Sequence, residues 1–197
     1  MAILNLACVR QKGMVVVRWI WDGNDARATI TITRLLDGEK LLERAVTGIL
    51  YQNAINGAAH GFELQVPDEP VCVTVSDGGS EVSQELLTPK YVVRWRIEYK
   101  NVYKRTLFRN ECIGREYCLR MDFPCSSAVP EDLFCYAPAN AGENAPAGHL
   151  PGLKHGSNLF GVIPQHGEAV VLYCNPEYEN YCRLFQMERL PDMEIKE

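Results

Sequence analysis

The chain has 197 residues, with 20 Lys and Arg against 25 Asp and Glu for a formal net charge of −5, and 47% of its residues are hydrophobic. That apolar fraction excludes global disorder. The acidic balance, shared by both halves, excludes a general nucleic-acid binder, whose affinity rests on cations neutralising phosphates. No apolar run approaches the ~20 residues that a membrane-spanning helix needs, so no membrane partner is expected.

Alternation with period two dominates from the start. Ile3 to Cys8 reads as a first strand, and Met14 to Trp21, rich in β-branched and aromatic residues, as a second that ends at the turn Asp22-Gly-Asn-Asp25. Ala28, Ile30 and Ile32 alternate with threonines in a third strand. Asp37-Gly38 then signals a hairpin whose return runs from Lys40 to Val46. A short helix is admissible at Tyr51–Ala59. Phe62 to Val66, Val71 to Ser76 and Glu81 to Leu87 complete seven strands, stopped by Pro67, Asp77-Gly-Gly and Pro89. Turn signals every ~8–12 residues mark a β-sandwich.

Residues 1–90 resemble a fibronectin type III domain. The resemblance is carried in order by Val15-Val-Val-Arg-Trp19, Ala28-Thr-Ile-Thr-Ile-Thr-Arg34 with its Asp37-Gly38 hairpin, and Val71-Cys-Val-Thr-Val-Ser-Asp-Gly-Gly79. Val71 stands where that family usually has a tyrosine. The resemblance implies a spacer or binding module and no catalytic residue.

The second half opens with a clean alternation. Val93, Trp95, Ile97 and Tyr99 face one way, and Arg94, Arg96, Glu98 and Lys100 the other. Further strands are expected at Tyr117–Phe123, Leu133–Tyr136, Leu159–Ile163, Ala169–Cys174 and Tyr181–Met187, punctuated by prolines. Pro138 to Ser157, rich in Ala, Gly, Asn and Pro, reads as a long loop, and such loops are functional or disordered. The expected fold is all-β, two tandem β-sandwich modules. The first, 1–89, is fibronectin type III-like; the second, 90–190, carries the loop at 138–157, and residues 191–197 form a frayed tail.

Candidate chemistry is sparse. His149, His155 and His166 are weak metal candidates, because their spacings match no compact ligand motif. The eight cysteines form no CxxC knuckle, and several replace Val or Ala inside apolar runs, which suits buried thiols. There is no GxSxG, Walker or GxGxxG sequence, so no catalytic residue and no cofactor is expected. The chain start lacks a basic segment ahead of a long apolar run, which sets the expectation of a cytoplasmic protein with reduced cysteines. Trp19, Trp21 and Trp95 suit a core better than a sugar-stacking platform.

Between Arg94 and Arg120 cations interleave with Trp95, Tyr99, Tyr103, Phe108 and Tyr117. Such a face suits an anionic ligand or an acidic protein surface, since Arg both stacks and forks, although Lys and Arg also protect exposed strand edges. The reading is a binding or adaptor protein, more non-enzymatic than enzymatic. Its candidate contacts are Arg94, Arg96, Lys104, Arg105, Arg109, His149, Lys154 and His155. A protein partner is expected, with carbohydrate binding or glycan processing as the alternative and a histidine-loop metal site third. The sequence leaves the oligomeric state open.

Overall fold

The computed structural model describes residues 3–21, 27–57, 59–139, 148–161 and 170–195. The protein is all-β, and its chain divides into two compact units, Met1–Lys90 and Tyr91–Glu197. The expected turn at Asp22–Asp25, His166, and the middle of the 138–157 loop lie outside the described residues.

The first unit contains β1 (Ile3–Gln11), β2 (Met14–Trp21), β3 (Arg27–Arg34), β4 (Lys40–Thr47), α1 (Gly48–Ile55), β5 (Phe62–Gln65), β6 (Val71–Ser76) and β7 (Glu81–Leu86). Lys12 and Gly13, both with positive φ, turn β1 into β2, the backbone that a two-residue hairpin favours. One sheet has the order β1-β2-β5 and the other β4-β3-β6-β7. Their alternating residues meet in one buried cluster. Val15, Val17, Trp19, Phe62 and Leu64 come from the first sheet, and Ile30, Ile32, Val71, Val73 and Val75 from the second. Inward faces of two sheets sharing one core give a sandwich-like arrangement. The helix α1 is capped by the Thr47 hydroxyl, which accepts from the Leu50 N–H at 3.4 Å. It buries Tyr51, whose hydroxyl accepts from the Trp19 N–H at 3.2 Å.

The second unit contains β8 (Tyr91–Arg105), β9 (Asn110–Phe123), β10 (Phe134–Pro138), β11 (Gly148–His149), β12 (Gly156–Gly161), β13 (Val170–Cys174), α2 (Glu179–Cys182), β14 (Phe185–Arg189) and β15 (Met193–Glu194). The larger sheet has the order β12-β9-β8-β14, with β15 also on β8, and the smaller has β11-β10-β13. Phe134 of the smaller sheet lies 6.0 Å from Phe123 and 5.4 Å from Phe185 of the larger, ring centre to ring centre, so aromatic packing joins the two.

Several expectations are corrected here. Tyr181 and Cys182 lie in α2 rather than in a strand. Pro176 opens a 3-10 turn there, and the Asn175 side chain accepts from the Glu177 N–H at 3.1 Å. The tail does not fray at Met193 and Glu194. These residues pair in parallel with Glu98 and Tyr99, continuing the parallel run of β14 along β8. The described end of the long loop is packed: His149 pairs with Cys135, Leu150 is buried, and Gly156 and Ser157 begin β12. Trp19 and Trp95 are buried.

Candidate functional site

β8 and β9 pair from Arg94↔Asp122 to Arg105↔Asn110, with a bulge between Val102 and Tyr103. On β8, Val93, Trp95 and Ile97 face the core. Beyond the bulge this changes, and every residue from Tyr103 to Glu116 is exposed. The end of the hairpin therefore projects about 13 Å past Tyr103, at the rise of an extended strand. A free two-stranded ribbon has little stability of its own, so this extension adds nothing obvious to the fold.

Residues Thr106 to Arg109 make the tip. The Thr106 N–H donates to the Arg109 carbonyl at 3.0 Å, the Thr106 hydroxyl donates to the same oxygen at 2.7 Å, and the Arg109 N–H donates to the hydroxyl at 3.2 Å. Leu107 and Phe108, held at the apex, are 97% and 96% exposed. Two-residue hairpin turns usually take Gly, Asn or Asp for their positive φ. Here neither residue has a positive φ, unlike Lys12 and Gly13 in the β1–β2 turn. The turn therefore tolerates the apex pair, but it leaves both apolar side chains in water. Exposed Lys104, Arg105 and Arg109 flank it, with the Glu111 carboxylate 3.8 Å from Arg109. Among the described residues neither Lys104 nor Arg105 has an ion-pair partner.

The other arginines of this stretch are engaged. The Arg94 Nε donates to Glu188 at 2.9 Å. Glu98 has no exposed surface, and its Oε1 accepts from Arg120 at 2.6 Å and from Arg96 at 2.7 and 2.9 Å. The Arg120 bond above all, with Arg96 adding to it against the cost of burial, holds the Glu98 carboxyl below the usual glutamate range. Arg120 also donates to Ser157 of β12 at 2.9 Å. The strand face is therefore an internal ion network, and the cations available to a partner are those at the tip.

The remaining candidates lie elsewhere. Lys154 and His155 are exposed in a turn built by Asn158, which accepts from the Lys154 N–H at 2.9 Å and donates to its carbonyl at 2.7 Å. That turn adjoins Gly156, the partner of Phe123, at the far end of β9 from the tip. Fourteen extended residues separate Arg109 from Phe123, about 45 Å, so the sequence candidates form two separate groups and not one site.

His149 Nδ1 lies 3.4 Å from the Cys135 Sγ and 3.7 Å from Asp132 Oδ1, a constellation that sequence spacing did not reveal. Burial first, then the Asp132 charge, raises the Cys135 thiol, which stays protonated at neutral pH. Nucleophilic chemistry needs the thiolate, and here the imidazole faces a buried, hydrogen-bonded thiol. Among the described residues no group of three or more His, Cys, Asp and Glu side chains is placed to hold a metal ion. The first unit has an open cleft of about 560 Å3 lined by Lys12, Arg44, Leu50, Phe62 and Glu63 among others. Its charges are mixed, and one of its two cations, Arg44, lies over the Phe62 ring at 5.5 Å.

No protein-family model and no curated protein matches the chain. Among the described residues no helix is long and apolar enough to cross a membrane.

The sequence named the tip's cations and Phe108 as an interleaved aromatic but passed over Leu107 and the pairing of the two at a turn. The available signal was local: two large apolar residues between Thr106 and Arg109, in a turn where polar residues are usual.

Proposed function

We infer that this is a non-enzymatic binding protein of the adaptor kind, and that the tip of the β8–β9 hairpin is its contact element. The exposure of Leu107 and Phe108, 97% and 96%, carries this reading. Exposed large apolar groups cost solubility, and a hairpin that projects them without packing gain is explained by a partner that buries them. The unpaired cations beside them ask for negative charge around an apolar seat. The first unit serves as a support. Its three-strand sheet β1-β2-β5 facing the four-strand sheet β4-β3-β6-β7 is in keeping with a fibronectin type III-like spacer.

The test is photo-crosslinking in the cells that make the protein, with a benzophenone amino acid in place of Phe108 and, as control, in place of Glu81 on β7. A discrete adduct, protein or lipid, is expected from position 108 and not from the control. Equal or absent labelling at the two positions would remove the hairpin as contact element.

A further inference from the structure

We propose that the hairpin tip docks on anionic phospholipid, with Leu107 and Phe108 entering the boundary between headgroups and acyl chains while Lys104, Arg105 and Arg109 meet the phosphates. This rests on the reading of the hairpin as contact element and names the chemistry of its partner.

Three observations favour a bilayer over a protein groove. The apex is convex and nearly all its apolar surface is free, so whatever covers it must surround it, which a fluid interface does without a prebuilt socket. Apolar apex, then the cations Arg105, Lys104 and Arg109 with Glu111 among them, then Tyr103 at 59% exposure reproduce along the hairpin the layering of an interface: acyl chain, phosphate, and the headgroup level where Tyr is enriched. The chain as a whole carries −5 while the tip is net positive, so an extended anionic plane draws the tip and not the rest of the chain. The expected absence of a membrane partner came from the lack of a spanning run. That criterion does not bear on a two-residue insertion.

The full chain should be sedimented with vesicles of pure phosphatidylcholine and with vesicles that also contain phosphatidylserine. Binding is expected to the second only, and to weaken as salt rises. The double variants Leu107→Ser/Phe108→Ser and Lys104→Glu/Arg105→Glu should each lose about 10-fold or more in affinity, because apolar area and cation attraction contribute separately. All four positions are exposed, so an unchanged melting curve verifies that both variants fold. A Phe108→Trp variant should be quenched by brominated lipid beyond the parent. No binding to phosphatidylserine vesicles, or binding that neither double variant alters, overturns the proposal. If vesicles fail while the position-108 crosslink yields a protein adduct, the lipid assignment falls and the hairpin reading stands. If both fail, both fall.

Discussion

Glu98 is the one fully buried charged residue among the described residues, and it lies on the polar phase of β8, where alternation alone would leave it in water. Arg96 and Arg120, both partly exposed, cover it and share its Oε1, while Oε2 has no partner. Removing one member of such a group leaves the others unpaired, which costs more than the group contributes when intact. Glu98→Gln should therefore destabilise the second unit by about 1–3 kcal/mol near neutral pH. Because the folded carboxyl titrates below its unfolded value of about 4.3, the stabilisation is present above that pH and is lost as pH falls through the folded value. The gap between parent and variant, read by urea unfolding, should be full at neutral pH and close in acid. A gap independent of pH would mean that the ionised carboxylate contributes nothing. The thiols order themselves by the same physics. Burial pushes Cys8, beside Cys72, and Cys174, beside Cys182, up to about 12, while Cys112 is exposed on the projecting hairpin. Mild alkylation of the folded protein should modify Cys112 first and Cys8 and Cys174 last, as peptide mass mapping would show.

At the level of elements, the edge strand β1 is protected by a side chain. Gln84 of β7 accepts from the Cys8 N–H at 2.8 Å and donates to the Cys8 carbonyl at 3.2 Å, standing in for a neighbouring strand. Gln84→Ala would leave both backbone groups without a partner in a part-buried position, a cost of about 1–3 kcal/mol. In a unit of this size that lowers the melting temperature by roughly 4–8 °C per kcal/mol, which calorimetry can read. An unshifted melt would mean that water replaces both bonds. The strands of the first unit were legible because their alternation is strong: β2 and β6 run where Met14–Trp21 and Val71–Ser76 alternate, and in that unit only strand ends moved. What was not legible depends on distant partners. The β14–β8 and β15–β8 pairings are parallel and join residues about ninety apart in sequence, and nothing local announces them. Gly148 shows the same limit. A Cβ there would stand 2.2 Å from the Tyr136 ring, a demand set by a cross-strand neighbour twelve residues away. The candidate site divided along the same line. Charge marked Arg94, Arg96, Lys104, Arg105 and Arg109 alike, but only the folded chain shows that Arg94 and Arg96 are engaged by Glu188 and Glu98 while Lys104 and Arg105 stand exposed near the turn.

At the scale of the whole molecule, each unit carries its own interior. In the first, one buried cluster takes residues from both sheets and is closed by α1 through Tyr51, whose ring lies tilted against Trp19 at 4.4 Å between ring centres. Its ends are tied as well. The Arg10 guanidinium donates to the carbonyls of Pro67 at 3.0 Å, Glu69 at 2.8 Å and Thr88 at 3.2 Å, joining β1 to the connection ahead of β6 and to the segment after β7. Arg34 is held by Asp37, Glu39 and Glu69, which binds the β3–β4 turn to that same connection. A unit of ninety residues lies above the size at which single domains need metals or disulfides to fold, and its cysteines, Cys8 and Cys72, are thiols. Residues 1–90 expressed alone should therefore fold cooperatively, with dispersed amide resonances and an unfolding transition matching the one this unit shows within the full chain. Collapse without dispersion would show that the cluster is insufficient and that the first unit draws its order from the second. A normal fold would supply a fragment without the hairpin as the control for any binding measured on the full chain.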